Sequence, residues 1–411
     1  MKKEVILGVD YNDHLDFGAR KGFLYGESHI RSLVRSMADA GVTTVSWRVS
    51  LIGQVTYRSK VRTVVGACPA PMPEMYPGSA AGSIVIQTCD PPAVAVNEAR
   101  KCGVKIVMYV TLFDEYFPGM ESKFEMDHPE YTWRHRFGKD RIRGLLSYAY
   151  PEVREHRLAE IRELLAYEPD GIYLDTGRSH CGIQPIMAMP LTGGDPYWQY
   201  GFNEPEVAEF KRRYGADPGS LIGLQPRMDD VNFQNWNKLR GEYLTQFLRE
   251  TRAVVNQAGK QLTVGFYSDA ECYLSPVGRR GRVPLGLFHH DYETWAKENL
   301  VDGFVIVTEH RRYGGRDWRE HSSKQFSPIQ RSGKKVYIWG ATQARVDELE
   351  DSPVKVPVSV TEDRPGFLKA MRKGIEGCME QTADGVFLYE ALHPEEHEYW
   401  TDLKDILHGR A

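Results

Sequence analysis

The sequence predicts an α/β protein built as a single (β/α)8 TIM barrel with long insertions after several strands. The first observation behind this prediction is that eight short runs of β-branched and apolar residues alternate with segments of helical pattern. These runs are too apolar on both faces for strands that are wetted on one side, so they suit parallel strands covered by helices. In chain order the runs are Val5–Asp10, Thr43–Arg48, Lys105–Asp114, Gly171–Asp175, Leu262–Asp269, Gly303–Glu309, Val336–Trp339 and Gly385–Glu390.

The second observation is the helical pattern between the runs. It is clearest over Val231–Gln257, where aromatic and aliphatic residues recur with a period of 3.6. Gly41, Gly103 and Gly259 each follow a predicted helix, where a left-handed C-cap is wanted, and each precedes a strand. The predicted helices are Glu27–Ala40, Ala93–Lys101, Glu152–Tyr167, Val231–Gln257, Asp291–Glu298, Ser322–Arg331, Gly366–Gln381 and Pro394–Leu407.

The third observation is the length of the segments that follow the strands. We interpret residues 1–411 as one barrel domain with insertions at about 49–92, 115–151, 176–230 and 270–290, and with a further long segment at 341–365. Connections of this length are usually functional when they carry no regular structure. All of them leave strands at their C-terminal ends, which places them on one face of the barrel.

Composition excludes several classes of protein. The chain is 41% hydrophobic and 26% charged, so its 411 residues can bury a large core. A formal net charge of −4 gives no reason to expect nucleic acid or an anionic membrane as a partner, and no stretch has the length of a membrane span. The expected partner is a carbohydrate substrate, and a homo-oligomer remains open.

The cysteines and the N-terminus bear on location. The six cysteines show no CxxC spacing, which favours a reduced cytoplasmic setting. The N-terminal sequence has only a strand-length apolar run that is followed at once by charge, so we do not interpret it as a signal peptide. A secreted or periplasmic location is the alternative if a leader has been removed.

Carboxylates end most of the predicted strands. In a TIM barrel the C-terminal strand ends converge on one mouth, where the active sites of this fold lie. Because like charges repel, a sequence selected for stability alone would not collect so many acids there. The residues expected to line this mouth are Asp10, Asp114, Asp175, Asp269, Glu309 and Glu390.

Asp175 is the strongest catalytic candidate, because an acid after four apolar strand residues has no role in a barrel core. The alternative is that it binds Arg178 or caps the following loop. Glu309 has the same position on strand six beside His310, and its alternative is an ion pair with a neighbouring arginine. Asp269 on strand five competes with Glu309 for the role of acid.

The other acids suit substrate binding. Asp10 and Glu390, on strands one and eight, would be neighbours where the barrel closes and could bind sugar hydroxyls. Asp114 and Glu115 could do the same or could cap the following loop.

Aromatic residues accompany these carboxylates at the strand ends. Flat rings beside acids and Arg48 suit a pyranose ring, which has an apolar C–H face and an edge of hydroxyls. For any single ring, packing in the barrel is the commoner role. The predicted substrate-binding residues are Asp10, Trp47, Arg48, Asp114, Arg178, His180, Tyr267, His310, Trp339 and Glu390.

Other chemistries have less support. The sequence contains no GxxxxGK[ST] loop, no GxGxxG at a helix start, no HExxH and no GxSxG, so we expect no cofactor and predict no metal ligands. The adjacent His289 and His290 are more often a solvated pair, but they keep a metal-dependent sugar hydrolase or isomerase as an alternative. A barrel that binds carbohydrate without catalysis is the other alternative.

Three segments carry a family resemblance. They are Gly201–Gly215 (GFNEPEVAEFKRRYG), Trp236–Arg252 (WNKLRGEYLTQFLRETR) and the DGIYLD that precedes both. Together they resemble the glycoside-hydrolase-like family ten proteins of bacterial polysaccharide-degrading genomes. The resemblance runs from strand one to strand eight and implies a glycoside hydrolase without specifying its sugar.

This family is distantly similar to the α-amylase and α-galactosidase superfamilies, in which the strand-four aspartate is the nucleophile. The resemblance implies that role for Asp175, with Glu309 as acid/base and with retention of configuration. The chain departs from the amylases at strand seven, where Trp339–Thr342 (WGAT) replaces their His-Asp pair. If the two carboxyl groups act as nucleophile and acid/base, we expect them roughly 5–6 Å apart.

An Asn-Glu-Pro triplet suggests a different assignment. In the large clan of β-retaining barrels this triplet ends strand four, and its glutamate is the acid/base. Here Asn203-Glu204-Pro205 lies far downstream of Asp175, so we interpret it as a helix start with Asn203 as N-cap.

Overall fold

The computed structural model describes residues 3–66, 77–116, 120–176, 197–227, 229–267, 289–307, 328–342, 360–380 and 384–410. Eight parallel strands form a closed barrel in which each strand pairs with the next along the chain and the eighth pairs with the first. The strands are β1 (Glu4–Asp10), β2 (Thr44–Arg48), β3 (Lys105–Thr111), β4 (Gly171–Asp175), β5 (Gln261–Tyr267), β6 (Gly303–Val307), β7 (Lys335–Ala341) and β8 (Gly385–Tyr389). The predicted (β/α)8 barrel is confirmed, and every predicted run overlaps one of its strands.

Alternate residues of each strand face the barrel interior, as the two-residue period of a strand requires. The interior is filled by a separate apolar cluster that includes Tyr109 of β3, Tyr173 of β4 and Phe387 of β8. Gly265 of β5 is needed beside Tyr173, because a Cβ at residue 265 would lie only 2.1 Å from the tyrosine hydroxyl oxygen. The barrel is therefore a packed core with an aromatic layer beneath its C-terminal mouth.

Helices cover the outside of the barrel. Their bounds are Tyr11–Lys21, Glu27–Ala40, Pro77–Thr88, Pro91–Cys102, Lys123–Asp127, Pro151–Leu165, Glu204–Tyr214, Pro218–Leu221, Val231–Gln257, Tyr292–Lys297, Arg364–Glu380, Leu392–Glu396 and Trp400–Leu407. No helix among the described residues is long and apolar enough to cross a membrane.

Besides the short helices Lys123–Asp127 and Pro218–Leu221, two longer helices were not expected from the sequence. Tyr11–Lys21 begins immediately after β1, and it packs against Pro77–Thr88 from the first long insertion. The approach is close at Gly78, where a Cβ would lie 2.6 Å from the backbone nitrogen of Asp16. Pro77–Thr88 has no clear apolar stripe, and the stripe of Tyr11–Lys21 is short, consisting of Tyr11, Leu15 and Gly18.

Other helices differ from the prediction in detail. The predicted helix Pro394–Leu407 is two helices, Leu392–Glu396 and Trp400–Leu407. Asn203 does precede the helix Glu204–Tyr214, but its side chain does not cap it. Instead the Asn203 side chain bonds to the hairpin formed by 132–134 and 141–146, accepting from Arg134 N at 3.1 Å.

A repeated pattern closes the N-terminal end of the barrel. An aspartate precedes the first glycine of β4, β6 and β8, and in each case its carboxylate accepts the backbone N–H of the second residue of the preceding strand. The bonds are Asp170 to Ile106 at 2.8 Å, Asp302 to Leu262 at 2.8 Å and Asp384 to Val336 at 2.9 Å. Acids at this end therefore stabilise strand pairing, whereas those at the other end need another explanation.

Candidate active site

Four of the predicted mouth carboxylates lie at the same end of the barrel. Asp10 and Asp175 are the last residues of β1 and β4, while Asp114 and Glu390 closely follow β3 and β8. All four side chains are buried. The mouth therefore gathers acids under the long insertions.

Six other candidates lie wholly or partly outside the described residues. Asp269, Glu309, Arg178, His180 and His310 lie outside the described residues, so their roles stay predictions. Tyr267 is the last residue of β5, and its side chain lies outside the described part of the structure.

Asp175 is held in place by β3. The hydroxyl of Tyr109 donates to Asp175 Oδ2 at 2.6 Å, and the backbone N–H of Leu112 donates to the Asp175 carbonyl at 3.1 Å. Tyr109 is fully buried with its ring edge against Tyr173 at 4.8 Å, so the donor itself cannot swing away. A hydrogen bond to a carboxylate is among the stronger neutral-donor contacts, and here it orients the acid at the barrel mouth.

Sequence analysis did not select Tyr109. The signal that could have found it is strand parity, because Tyr109 and Thr111 share the inner face of β3 and Thr111 pairs with Asp175. Tyr173 is two residues before Asp175 and faces inward for the same reason.

Arg48 joins two of the predicted binding residues. Its guanidinium donates to Asp10 Oδ2 at 2.5 Å and to Asp114 Oδ2 at 2.8 Å. The hydroxyl of Tyr389 also donates to Asp10 Oδ2 at 2.5 Å. One buried cation thus orients two carboxylates and offsets the charge of only one of them, which leaves the described part of the mouth negative.

The aromatic candidates separate into two groups. Trp339 of β7 stacks on Phe387 at 4.6 Å and on Tyr389 at 5.1 Å, and both Trp339 and Tyr389 are partly exposed. Trp47 is fully buried in the layer between barrel and helices, with its ring 5.0 Å from that of Tyr11. Arg48, the next residue, faces the mouth, so strand alternation directs Trp47 to the outer side of β2. Trp47 therefore packs in the core and does not lie with the other predicted substrate-binding residues.

Glu390 belongs to a second group of acids. The Thr342 hydroxyl donates to the Glu390 carbonyl at 2.6 Å and accepts from its N–H at 3.0 Å, which fixes the backbone beyond β8. Asp10, Asp13 and Glu390 each offer one carboxylate oxygen, all within 4.8 Å of one another. Such oxygens are the ligands that Ca²⁺ and Mg²⁺ prefer, so these three residues are where a cation could bind. Asp13 was missed because the helix that follows β1 was not predicted.

His290 differs from the solvated residue that the sequence suggested. It is buried, and its Nε2 lies 3.1 Å from the hydroxyl oxygen of Thr176, the residue after Asp175. Burial, and secondarily the charge of His289, lowers the pKa of His290 to about 3. Its ring is therefore neutral at physiological pH. His289 by contrast has a side chain that is 40% exposed.

Comparisons with known proteins bear on the fold. No protein-family model matches the chain, and no curated protein matches it in sequence, so family ten remains a resemblance. Among solved structures, the glycoside hydrolase domain of PgaB (BpsB) from Bordetella bronchiseptica is similar with a TM-score of 0.58 and 14% identity, covering 98% of this chain and 99% of that domain. The chain has the barrel fold of glycoside hydrolase domains.

Two further glycoside hydrolase structures show the same fold. The catalytic domain of β-amylase from Paenibacillus polymyxa has a TM-score of 0.57 and 10% identity, covering 98% of this chain and 97% of that one. A β-galactosidase from Marinomonas ef1 has the same TM-score and identity, covering 98% of this chain but 59% of its own. At such identities the similarity establishes the (β/α)8 barrel fold alone.

Behind the mouth of the barrel lies a buried ring of four ionisable side chains, which we name the charge tetrad: Arg62, Glu115, Arg157 and Glu160. Arg62 contacts Glu115 at 2.9 Å and Glu160 at 3.0 Å, while Arg157 contacts the same two acids at 2.9 and 2.7 Å. Arg157 also donates to the carbonyl of Thr111, at the end of β3. Glu115 therefore anchors two insertions to the barrel and does not join its neighbour Asp114 at the mouth.

Buried glutamates make the stability of the protein depend on pH. Burial raises the pKa of Glu115 to about 7 and that of Glu125 to about 8. Between pH 6.5 and 8 the unfolded state has lost these protons, whereas the folded state still holds them in part. We therefore expect the free energy of unfolding to fall across this window, by up to about 1.4 kcal/mol per pH unit for each group that stays protonated. The two histidines with lowered pKa values, His156 and His290, do not oppose this trend, because their effect on stability lies below pH 6.5.

Urea unfolding at several pH values would measure this slope. Glu125→Gln should flatten the slope, because it removes a titrating group. The fold should be kept, because the amide oxygen can still accept the Gly144 N–H, which Glu125 accepts at 2.8 Å. Glu152→Gln, on an exposed residue, is the matched control and should leave the slope unchanged. Equal slopes in the wild type and in Glu125→Gln would contradict the assignment.

Proposed function

We propose that this protein is a glycoside hydrolase that cleaves an O-glycosidic bond with two carboxyl groups and retains the anomeric configuration. Asp175 is the nucleophile, Glu309 is the acid/base, and Asp269 is its substitute. The observation that carries the proposal is the buried Asp175 carboxylate at the barrel mouth, oriented by the Tyr109 hydroxyl at 2.6 Å. The shared fold with glycoside hydrolase domains supports it.

In the first step an Asp175 oxygen bonds to the anomeric carbon while the bond from that carbon to the leaving oxygen breaks. Glu309 supplies the proton that the leaving oxygen takes up. In the second step Glu309 takes a proton from water, whose oxygen displaces Asp175. Tyr109 keeps Asp175 at a fixed place throughout, which reduces the entropy lost on reaching the transition state.

The other mouth residues bind the sugar in this proposal. Trp339 and Tyr389 provide an aromatic surface for the apolar face of a pyranose. Asp10 and Asp114, oriented by Arg48, provide acceptors for hydroxyl groups. The combination of a ring platform with convergent acceptors is what a sugar-binding cleft requires.

A panel of aryl glycosides and polysaccharides, with NMR of the first anomer released, tests the proposal. Retention is expected. Release of the opposite anomer would show an inverting reaction. Asp175 would then act as a general base and not as a nucleophile, and the two catalytic carboxyl groups would be roughly 6.5–9.5 Å apart. Saturable sugar binding without turnover would instead favour the non-catalytic barrel, which the salt bridges of Asp10 and Asp114 would also suit.

A metal-dependent sugar hydrolase or isomerase is the second candidate, and Asp10, Asp13 and Glu390 are the observation that favours it. For the two-carboxylate mechanism we expect activity to survive exhaustive chelation with less than about a twofold change. Activity that is lost with EDTA and restored by Ca²⁺ or Mg²⁺ would support the metal-dependent candidate. Asp13→Asn should abolish that restoration, since Asp13 belongs to the cluster and not to the Arg48 network.

A further inference from the structure

We propose that His290 is a positioning residue for the nucleophile Asp175 and acts through Thr176. This inference rests on the proposed function. It concerns a side chain that has no place in the two-carboxylate chemistry, and that reaches the end of β4 from the segment after β5.

Donor and acceptor rules fix the direction of the hydrogen bonds. The Thr176 hydroxyl lies 2.7 Å from the carbonyl oxygen of Gly265, which can only accept, so Thr176 donates its proton there. The hydroxyl oxygen then accepts from His290 Nε2 at 3.1 Å, and the ring is also hydrogen-bonded to the Thr176 backbone. His290 is therefore the tautomer that carries hydrogen on Nε2, and the chain runs from His290 through Thr176 to Gly265.

The chain ends on the residue that pairs with Asp175. Gly265 of β5 is the register partner of Asp175, and its carbonyl also accepts the backbone N–H of Thr176 at 3.0 Å. The peptide that joins Asp175 to Thr176 is thus bonded to β5 by both a main-chain and a side-chain donor. The Tyr109 bond holds the Asp175 carboxylate from the β3 side, so His290 completes its support from the β5 side.

The His290 ring is itself fixed by the long helix Val231–Gln257. Its edge meets the ring of Trp295 at 5.9 Å, and the Trp295 indole N–H donates to Thr245 of that helix at 2.8 Å. The backbone of His289 packs closely against Gly241 of this helix, because a Cβ at residue 241 would lie 2.1 Å from the His289 carbonyl oxygen. A donor held this rigidly is suited to hold a reacting group within a fraction of an ångström.

The central variants are His290→Phe, which fills the volume without a donor, and Thr176→Val, which removes the hydroxyl. Each should lower kcat by roughly 10- to 100-fold with KM changed less than about twofold, because misplacement of the nucleophile costs rate in the transition state. The double variant should lose little more than either single variant, since both break one chain. Thr176→Ser keeps the hydroxyl and should restore most of the rate.

The control is His289→Gln, which changes the exposed neighbour and should leave kcat as in the wild type. A purely structural role predicts a different result: a lower melting temperature with unchanged kcat at temperatures where the variants are folded. That result would overturn the proposal. If His290→Phe fails to fold, Thr176→Val tests the same bond.

A second measurement does not depend on turnover. The ¹³C NMR chemical shift of the Asp175 carboxyl carbon, assigned by its loss in Asp175→Asn, should change in His290→Phe and not in His289→Gln. An unchanged chemical shift together with unchanged kcat would refute the positioning role and leave the glycosidase proposal standing. Full activity of Asp175→Asn would refute the glycosidase assignment instead, whatever the His290 variants do.

Discussion

Asp175→Asn is expected to keep the fold and to lose at least about a hundredfold in kcat on any substrate that the wild type hydrolyses. The amide cannot attack the anomeric carbon as a carboxylate does, so the loss falls on the chemical step. The fold should survive because the amide oxygen can still accept the Tyr109 hydroxyl, which donates to Asp175 at 2.6 Å. Removing one acid from a mouth that also contains Asp10, Asp114 and Glu390 should slightly relieve repulsion.

The matched control is Asp170→Asn, the same chemical change at the opposite end of β4. Asp170 accepts the Ile106 N–H outside the mouth, and an amide oxygen can replace it, so activity should remain close to that of the wild type. Steady-state kinetics and thermal melts of both variants measure the two expectations. Wild-type turnover by Asp175→Asn would exclude a catalytic role, and a large loss of melting temperature would favour a structural one.

Arg157→Met is expected to cost about 3–5 kcal/mol of the free energy of unfolding, the largest effect on stability that we predict. The substitution leaves Glu115 and Glu160 buried with Arg62 as their remaining guanidinium partner within the charge tetrad. Two carboxylates with one cation in a low-dielectric site must either repel each other or take up a proton. The carbonyl of Thr111, which Arg157 also contacts, loses that donor as well.

Arg162→Met is the control on the same helix. Arg162 is 49% exposed and pairs with Glu155 at 2.6 Å on the surface, so its loss should cost less than about 1 kcal/mol. Chemical denaturation at neutral pH compares the two variants. The cost of Arg157→Met should shrink at low pH, where the acids left behind are protonated. Equal losses in the two variants would show that the tetrad contributes no more than a surface pair.

The fold was largely predictable, because strand and helix patterns are local. The runs at Val5–Asp10 and Gly171–Asp175 end at the same residues as β1 and β4, and the helix Val231–Gln257 has the predicted bounds. Strands that are buried on both faces are apolar throughout, and this property can be recognised in a single sequence. The helices Tyr11–Lys21 and Pro77–Thr88 could not be predicted from the sequence, because packing against each other contributes to their stability.

The candidate site was predictable in position but not in detail. Strand ends identified Asp10, Asp114 and Asp175 before any contact was known, because the topology of a barrel gathers these ends. The sequence could not show that Arg48 would bind two of these acids while the adjacent Trp47 would pack in the outer core. That distinction depends on which side of β2 faces inward, and a run that is apolar on both faces does not reveal it.

The sequence by itself determined the barrel, the face that carries the site and the excess of acids there, since these follow from local periodicity and chain order. Only the tertiary structure decided that Glu115 belongs to the charge tetrad, that Tyr109 orients Asp175 and that His290 is buried against Thr176. The physical reason is that burial, hydrogen-bond direction and charge pairing are properties of residues far apart in the chain. Thr176 and His290 are 114 positions apart, and their contact exists because β4 and β5 pair and the long helix Val231–Gln257 supports the ring from behind.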